Sequence, residues 1–319
     1  MTIGGHLDAL YRLPAYTFPG PGERTDDLPD EDGFAWRITS DVYDAEEEWT
    51  DAFARFCAAV DTTRVRALIV GAWKEAYDTD PTPVIEALVA AKDRFPALRA
   101  LFVGDIIGEE CEISWINQTD VTPLLAAFPE LEEFGVRGGS GLRFPALRHT
   151  NLRRLTLESG GLPAQVVRGV GAADLPALEH LDLWLGTPEY GGDSEAADLE
   201  GILSGARLPR LRHLALRNSE IQDAVAAAVA SAPVVARLEV LDLSMGVLTD
   251  EGAAALLGGQ PLTHLKTLDL HHHYIREPLL ERIRQTLEPA GVEVDLDRDD
   301  AEEDEEDDGT VWRYVAVGE

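Results

Sequence analysis

Three consecutive histidines, His271, His272 and His273, follow closely on Asp269 and are the first place to look for metal or proton chemistry. Neutral imidazoles bind zinc, nickel or copper. Along an extended chain, alternation points His271 and His273 to one side and His272 to the other, so at most two reach one ion unless Asp242 or Asp269 joins them. Two imidazoles make a weak site, and a local turn with polar side chains is the better account of the run, so neither a metal nor a cofactor is expected. Cys111 lies among Glu109, Glu110 and Glu112, but carboxylates raise a thiol pKa, the wrong direction for a nucleophile. Cys57, between Phe56 and Ala58, reads as a buried apolar residue. No nucleophile elbow, HExxH, P-loop or dinucleotide fingerprint occurs, so no catalytic residues are assigned.

A larger set of chemistry-bearing side chains alternates with leucines: Glu133, Arg137, Arg154, Glu158, His180, Asp182, Trp184, His213, Arg217, Asp242, Asp269 and His271. Charged and aromatic residues at period two suit a surface that grips another molecule from rigid strands, although the solvated face of any such sheet is also polar. Large aromatics follow the same segments: Trp73 and Tyr77, Trp115, and Trp184 with Tyr190. On one rim they could form an interface hot spot, or each could fold down as a plug for its own loop.

The elements that hold these residues are repeats of the form LxxLxL. They begin at Val65, Leu98, Leu131, Leu152, Leu178, Leu211, Leu238 and Leu265, a period of about 29 residues. Alternation as in Leu241-Asp242-Leu243 predicts a short strand with leucines on one face. Helical stretches lie between, over 81–95, 223–236 and 277–287. Proline before the first leucine, as at Pro96, Pro129, Pro176 and Pro209, ends the incoming helix and sets an extended entry. The register is ambiguous over 138–150, where Phe144-Pro145-Ala146-Leu147 mimics a repeat start in too little chain for a helix.

The expected fold is therefore α/β: a leucine-rich-repeat solenoid, or horseshoe, with a curved parallel sheet of about eight repeats and helices on the convex side. Residues 1–64 form a leader and a capping strand-helix unit, with a strand at 34–40 and a helix at 46–60. Leu7, Leu10, Tyr11, Leu13 and Phe18 are expected to lie along that cap. Residues 65–296 form the solenoid, and 297–319 an acidic tether and closing strand. From 295 to 308, 11 of 14 residues are Asp or Glu, a density that cannot collapse. The alternating 311–317 segment is expected to return to a nearby sheet edge or the back cap.

LEVLDLSMGVLTDEGAAALL, residues 238–257, resembles the ribonuclease-inhibitor type of leucine-rich repeat. The whole chain also resembles an uncharacterised bacterial leucine-rich-repeat family with an AWR strand near the start, here Ala35 to Arg37, and a WRYVAV end, here Trp312 to Val317. That resemblance implies the fold and no assigned activity. One departure is that the asparagine usual three residues past the third leucine is replaced by Gly139, Gly160, Gly186, Ser219, Gly246 and His273.

Charge narrows the partners. Against 59 Asp and Glu stand 27 Lys and Arg, a formal net of −32, which repels phosphate backbones and anionic lipid. No nucleic acid and no membrane is expected. The two cysteines are too few for a disulfide framework, and no secretion signal is evident, so a cytoplasmic location is expected. The expected function is a non-catalytic scaffold that binds a protein or peptide, of basic character, on the concave face and rim loops. The alternative is a metal-assisted enzyme, or an accessory subunit of one, using the 271–273 region.

Overall fold

The computed structural model describes residues 3–306 and 308–318. A 12-stranded sheet runs in sequence order from β1 to β12. A two-residue strand β1 (Ala9–Leu10) turns through Tyr11 and Arg12, both at positive φ, into β2 (Leu13–Thr17). That pair is antiparallel, and every later pair in this sheet is parallel. The rungs are β3 (Ala35–Ile38), β4 (Ala67–Val70), β5 (Ala100–Val103), β6 (Glu133–Arg137), β7 (Arg154–Glu158), β8 (His180–Gly186), β9 (His213–Ser219), β10 (Val240–Asp242), β11 (Thr267–Asp269) and β12 (Glu293–Asp295). A separate antiparallel hairpin joins β13 (Glu303–Glu305) to β14 (Val311–Arg313).

The leucine triads line up as adjacent rungs. Leu68, Leu101, Phe134, Leu155, Leu181, Leu214, Leu241 and Leu268 are successive register partners. All are buried. Alternation sends them into the layer between sheet and helices, where each fully buried aliphatic side chain contributes about 2 kcal/mol of gross burial. The repeat units from Val65 to Leu287 thus build the solenoid read from sequence, with β3 in front and β12 behind.

The convex layer holds α1 (Trp49–Ala59), α2 (Thr82–Ala90), α3 (Thr122–Ala127), α4 (Ala164–Ala172), α5 (Glu200–Ser204), α6 (Gln222–Val229), α7 (Asp250–Gly258) and α8 (Glu277–Leu287). Trp49, Phe53 and Phe56 of α1 pack on Trp36 and Phe95 as the front cap. The ambiguous 138–150 stretch has no helix: its extended chain forms isolated bridges to Asp120 and Asp174 and buries Phe144. The unit between Leu131 and Leu152 is too short for anything else.

Two terminal segments lie elsewhere than expected. Phe18 does pack on the cap, edge-on to Phe56 at 5.3 Å. Leu7, Leu10, Tyr11 and Leu13 instead cross the concave face, packing on Ala35, Ala67, Ile69, Ala100 and Phe102. The cause is local: these inward positions of β3 to β5 are mostly small or apolar, so the front of the face is a hydrophobic bed. At the other end, β14 pairs with β13 rather than with the main sheet. The chain then runs as a strap along the rim at the carboxyl ends of the strands, where the Ala316 N–H donates to the Met245 carbonyl. The Ser114 hydroxyl bonds the Gly318 carbonyl. The segment adds to no edge of the main sheet: Tyr314 bonds His272 and Tyr274 beyond β11, and the residues after it pack in a pocket around Ile113, Trp184 and Met245.

Candidate functional site

The concave face is built from three inward positions per strand. The middle one reads Thr156, Asp182, Ala215, Asp242, Asp269 and Asp295 from β7 to β12, all in register. Alanine at 215 leaves room for Arg217, one position on. Its guanidinium reaches Asp182 at 2.6 Å and Asp242 at 3.6 Å and lies over the Trp184 ring at 5.1 Å. Burial pushes the Asp182 and Asp242 carboxyls upward, and Arg217 draws both back.

A second network spans the front. Asp105, fully buried, accepts from Arg37 at 2.7 Å and faces Arg137 at 3.4 Å, and Arg137 donates to Glu158 at 2.7 Å. The Leu7 backbone N–H also donates to Asp105, and the Arg37 guanidinium to the Leu7 carbonyl. The leader is thereby tied to the same charges. Gly135 of β6 is required here, since a Cβ would meet the Phe102 ring at 2.3 Å. Burial pushes the Glu158 carboxyl up, offset by Arg137.

Between the two networks, His180 and His213 stack with ring centroids 3.9 Å apart. Burial first, then His213 beside it, holds His180 down to about 2, and burial with Arg154 and Arg217 holds His213 to about 4. Both imidazoles are neutral at ordinary pH. Arg154 is exposed, 3.6 Å from Glu133. These residues and the leader turn border an open cleft of about 640 Å³ lined by Arg12, Arg66, Arg153, Arg154, Glu133 and His180.

The histidine run is split by its backbone. His272 has φ of 53°, which breaks the alternation expected from sequence, so His271 and His273 do not share a side. His271 lies with Asp269, Nδ1 to Oδ1 at 2.7 Å, and this bond holds the imidazole above its ordinary value. Burial pushes Asp269 up, but the His271 side chain and backbone N–H together hold it below the usual carboxylate range. His273 is fully buried, its Nδ1 accepting from the Ile275 N–H and its Nε2 lying 3.2 Å from the Leu296 carbonyl. His272 Nε2 bonds the Tyr314 carbonyl. Two of the three imidazoles therefore serve the turn and the tail. Asp295, which sequence reading left out of the site, joins instead: Asp269, His271 and Asp295 offer ligand atoms within 4.8 Å of one another.

At the asparagine position Ser219 accepts the Ile221 N–H and His273 the Ile275 N–H, while other residues add side-chain bonds to the strand ends. Gln118 donates to the Arg137 carbonyl and Gln222 to the Leu216 carbonyl. At Gly160 a Cβ would stand 2.3 Å from the Gly318 carbonyl, so the tail occupies that space. Asn218 is missing from the sequence-based site and holds the strap, donating to the Val317 carbonyl and accepting its N–H.

The rim aromatics divide. Trp73 is buried and its indole N–H donates to the Thr79 carbonyl of its own loop. Trp184 is 8% exposed, beneath Arg217 and the strap. Tyr190 is half-buried beside Gly318. Tyr77 is exposed and stacked on Tyr43 at 5.7 Å, and Trp115 is 59% exposed. Cys57 and Cys111 are buried, and burial followed by Glu112 and Glu110 pushes the Cys111 thiol to about 11.

No helix among the described residues is long and apolar enough to cross a membrane. No family model matches the chain, and no curated protein matches it. Among solved structures, the chain is similar to a Bacteroides fragilis protein determined as a Northeast Structural Genomics Consortium target. The two are 29% identical with a TM-score of 0.73, over 85% of this chain and 73% of that one.

Proposed function

We propose that the chain is a non-catalytic interaction scaffold of the ribonuclease-inhibitor-like leucine-rich-repeat kind, taking a basic protein or peptide on the rear half of its concave face. The observation that carries this reading is the division of that face. The leader fills the apolar front, from β3 to β5, as a bound peptide would. The rear, from β10 to β12, keeps the aligned acids Asp242, Asp269 and Asp295, and among the described residues Asp269 and Asp295 stay half-buried and exposed. With a net charge of −32 behind it, such a face favours cationic partners and loses them as salt screens the field. Exposed Tyr77 and Trp115 on the rim offer aromatic anchors for the same partner. A cytoplasmic setting belongs to this reading.

The test is affinity capture from the source cell extract at low and high salt with the parent and an Asp269→Asn, Asp295→Asn double variant. A partner retained at low salt, released at high salt and lost from the variant supports the reading. A partner held equally by both chains removes the rear face from it.

A further inference from the structure

The carboxylates of the concave face follow a rule with one exception. Asp105 and Glu158 are matched by Arg37 and Arg137, and Asp182 and Asp242 by Arg217. Neither β11 nor β12 carries an arginine. Among the described residues the ion partner of Asp269 is the His271 imidazole, and Asp295 has none within 4.0 Å. Register places these two carboxylates directly beside each other on β11 and β12, rungs about 4.8 Å apart. Each uses its Oδ1 to accept the backbone N–H two residues on, from His271 and from Asp297. The second oxygen of each takes no hydrogen bond from the described residues.

From this geometry we infer that Asp269, His271 and Asp295 form a binding site for a borderline divalent cation of the zinc class. Their donor atoms already lie within 4.8 Å of one another. Ligands held at about 2.0–2.2 Å from zinc stand roughly 3.3–3.6 Å apart in a tetrahedron, so side-chain rotation of about an ångström closes the set. An imidazole among two carboxylates selects zinc, nickel or cobalt over calcium or magnesium, which take oxygen donors. Exposure of Asp295 gives the ion its way in, and a fourth position remains for water or for a partner's side chain. His272 and His273 are not ligands, being bonded to Tyr314 and Leu296.

The test uses the full chain, stripped with a chelator and titrated with zinc chloride in excess calcium, which occupies the acidic tether. One equivalent of zinc should bind. His271→Gln and Asp295→Asn should each weaken it at least tenfold with melting unchanged, while Asp299→Asn in the tether should leave it as in the parent. Absence of a calcium-resistant equivalent overturns the assignment, as does parental affinity in both variants. Saturation of the row by hexa-arginine in a chain that binds no zinc also overturns it, making these acids a seat for guanidinium.

Discussion

Arg217 and Asp182 meet through two parallel contacts, Nε to Oδ1 at 3.0 Å and Nη2 to Oδ2 at 2.6 Å, on the neighbouring strands β9 and β8. Asp182 is buried and Arg217 half-buried on the inner face, and Asp242 on the other side shares the same guanidinium. Removing the cation alone leaves two desolvated carboxylates facing each other. Arg217→Met should therefore cost about 3–5 kcal/mol, the range for breaking a buried pair by removing one partner. Arg217→Met combined with Asp182→Leu should recover part of that loss, Asp242 still standing without its cation. Urea unfolding of the single and double variants checks this, and equal loss in both would show that the pair is not what the arginine stabilises.

Asn218 is a second structural hinge of the site. At φ of 53° it occupies a left-handed conformation, tolerated better by asparagine than by most residues. Its amide makes both bonds to Val317, at 2.6 and 2.9 Å. Asn218→Gly keeps the backbone and loses the bonds; Asn218→Ala loses both. The expected order of stability is parent, then glycine, then alanine, with about 1–3 kcal/mol for the buried partners left unmet. Limited proteolysis should cut residues 315–318 in both variants and spare them in the parent.

The stacked histidines set an acid limit. Their folded values, about 2 for His180 and about 4 for His213, lie below the ordinary 6.5. The unfolded chain thus takes up protons that the fold refuses, and stability falls as pH drops from about 6.5 toward 4, by up to about 1.4 kcal/mol per pH unit for each histidine. Arg154 and Arg217 face the pair and add to the effect, while Asp269 near His213 opposes it. Asp182, Asp242 and Glu158, pushed up by burial, bind protons earlier in the fold and counter the trend nearer pH 4. The clear window is pH 6.5 to 5. Urea midpoints across it should fall less for His213→Leu than for the parent, and an equal fall would place the proton uptake elsewhere.

The rungs and their inward side chains were legible because period two and a repeat near 29 residues leave little freedom. Asp295 was equally legible: Val294-Asp295-Leu296 lies within the solenoid bounds and copies the Leu-Asp-Leu of β10 and β11, yet the acidic run that begins there hides it as a site residue. The concave path of Leu10 and the rim path of Val317 had no such signal. Both depend on surfaces made by distant strands, Ala67 and Phe102 for one, Trp184 and Met245 for the other. The splitting of His271 from His273 turned on one left-handed residue, His272, whose partner Tyr314 lies 42 positions away.

A stack in which each rung buries its neighbours makes position along the stack an energetic variable. Leu214 on β9 is fully buried with Leu181 on one side and Leu241 on the other. Val294 on β12 has Leu268 as its one register partner and is half-buried at the end of the sheet. Truncating Leu214 to alanine should open a cavity that two rungs cannot close and cost about 2–5 kcal/mol. Val294→Ala removes less side chain from a site that water already reaches, and should cost about 1 kcal/mol or less. Urea unfolding gives both numbers. Equal costs at the centre and at the end would mean that burial between neighbouring rungs is not the main source of this fold's stability.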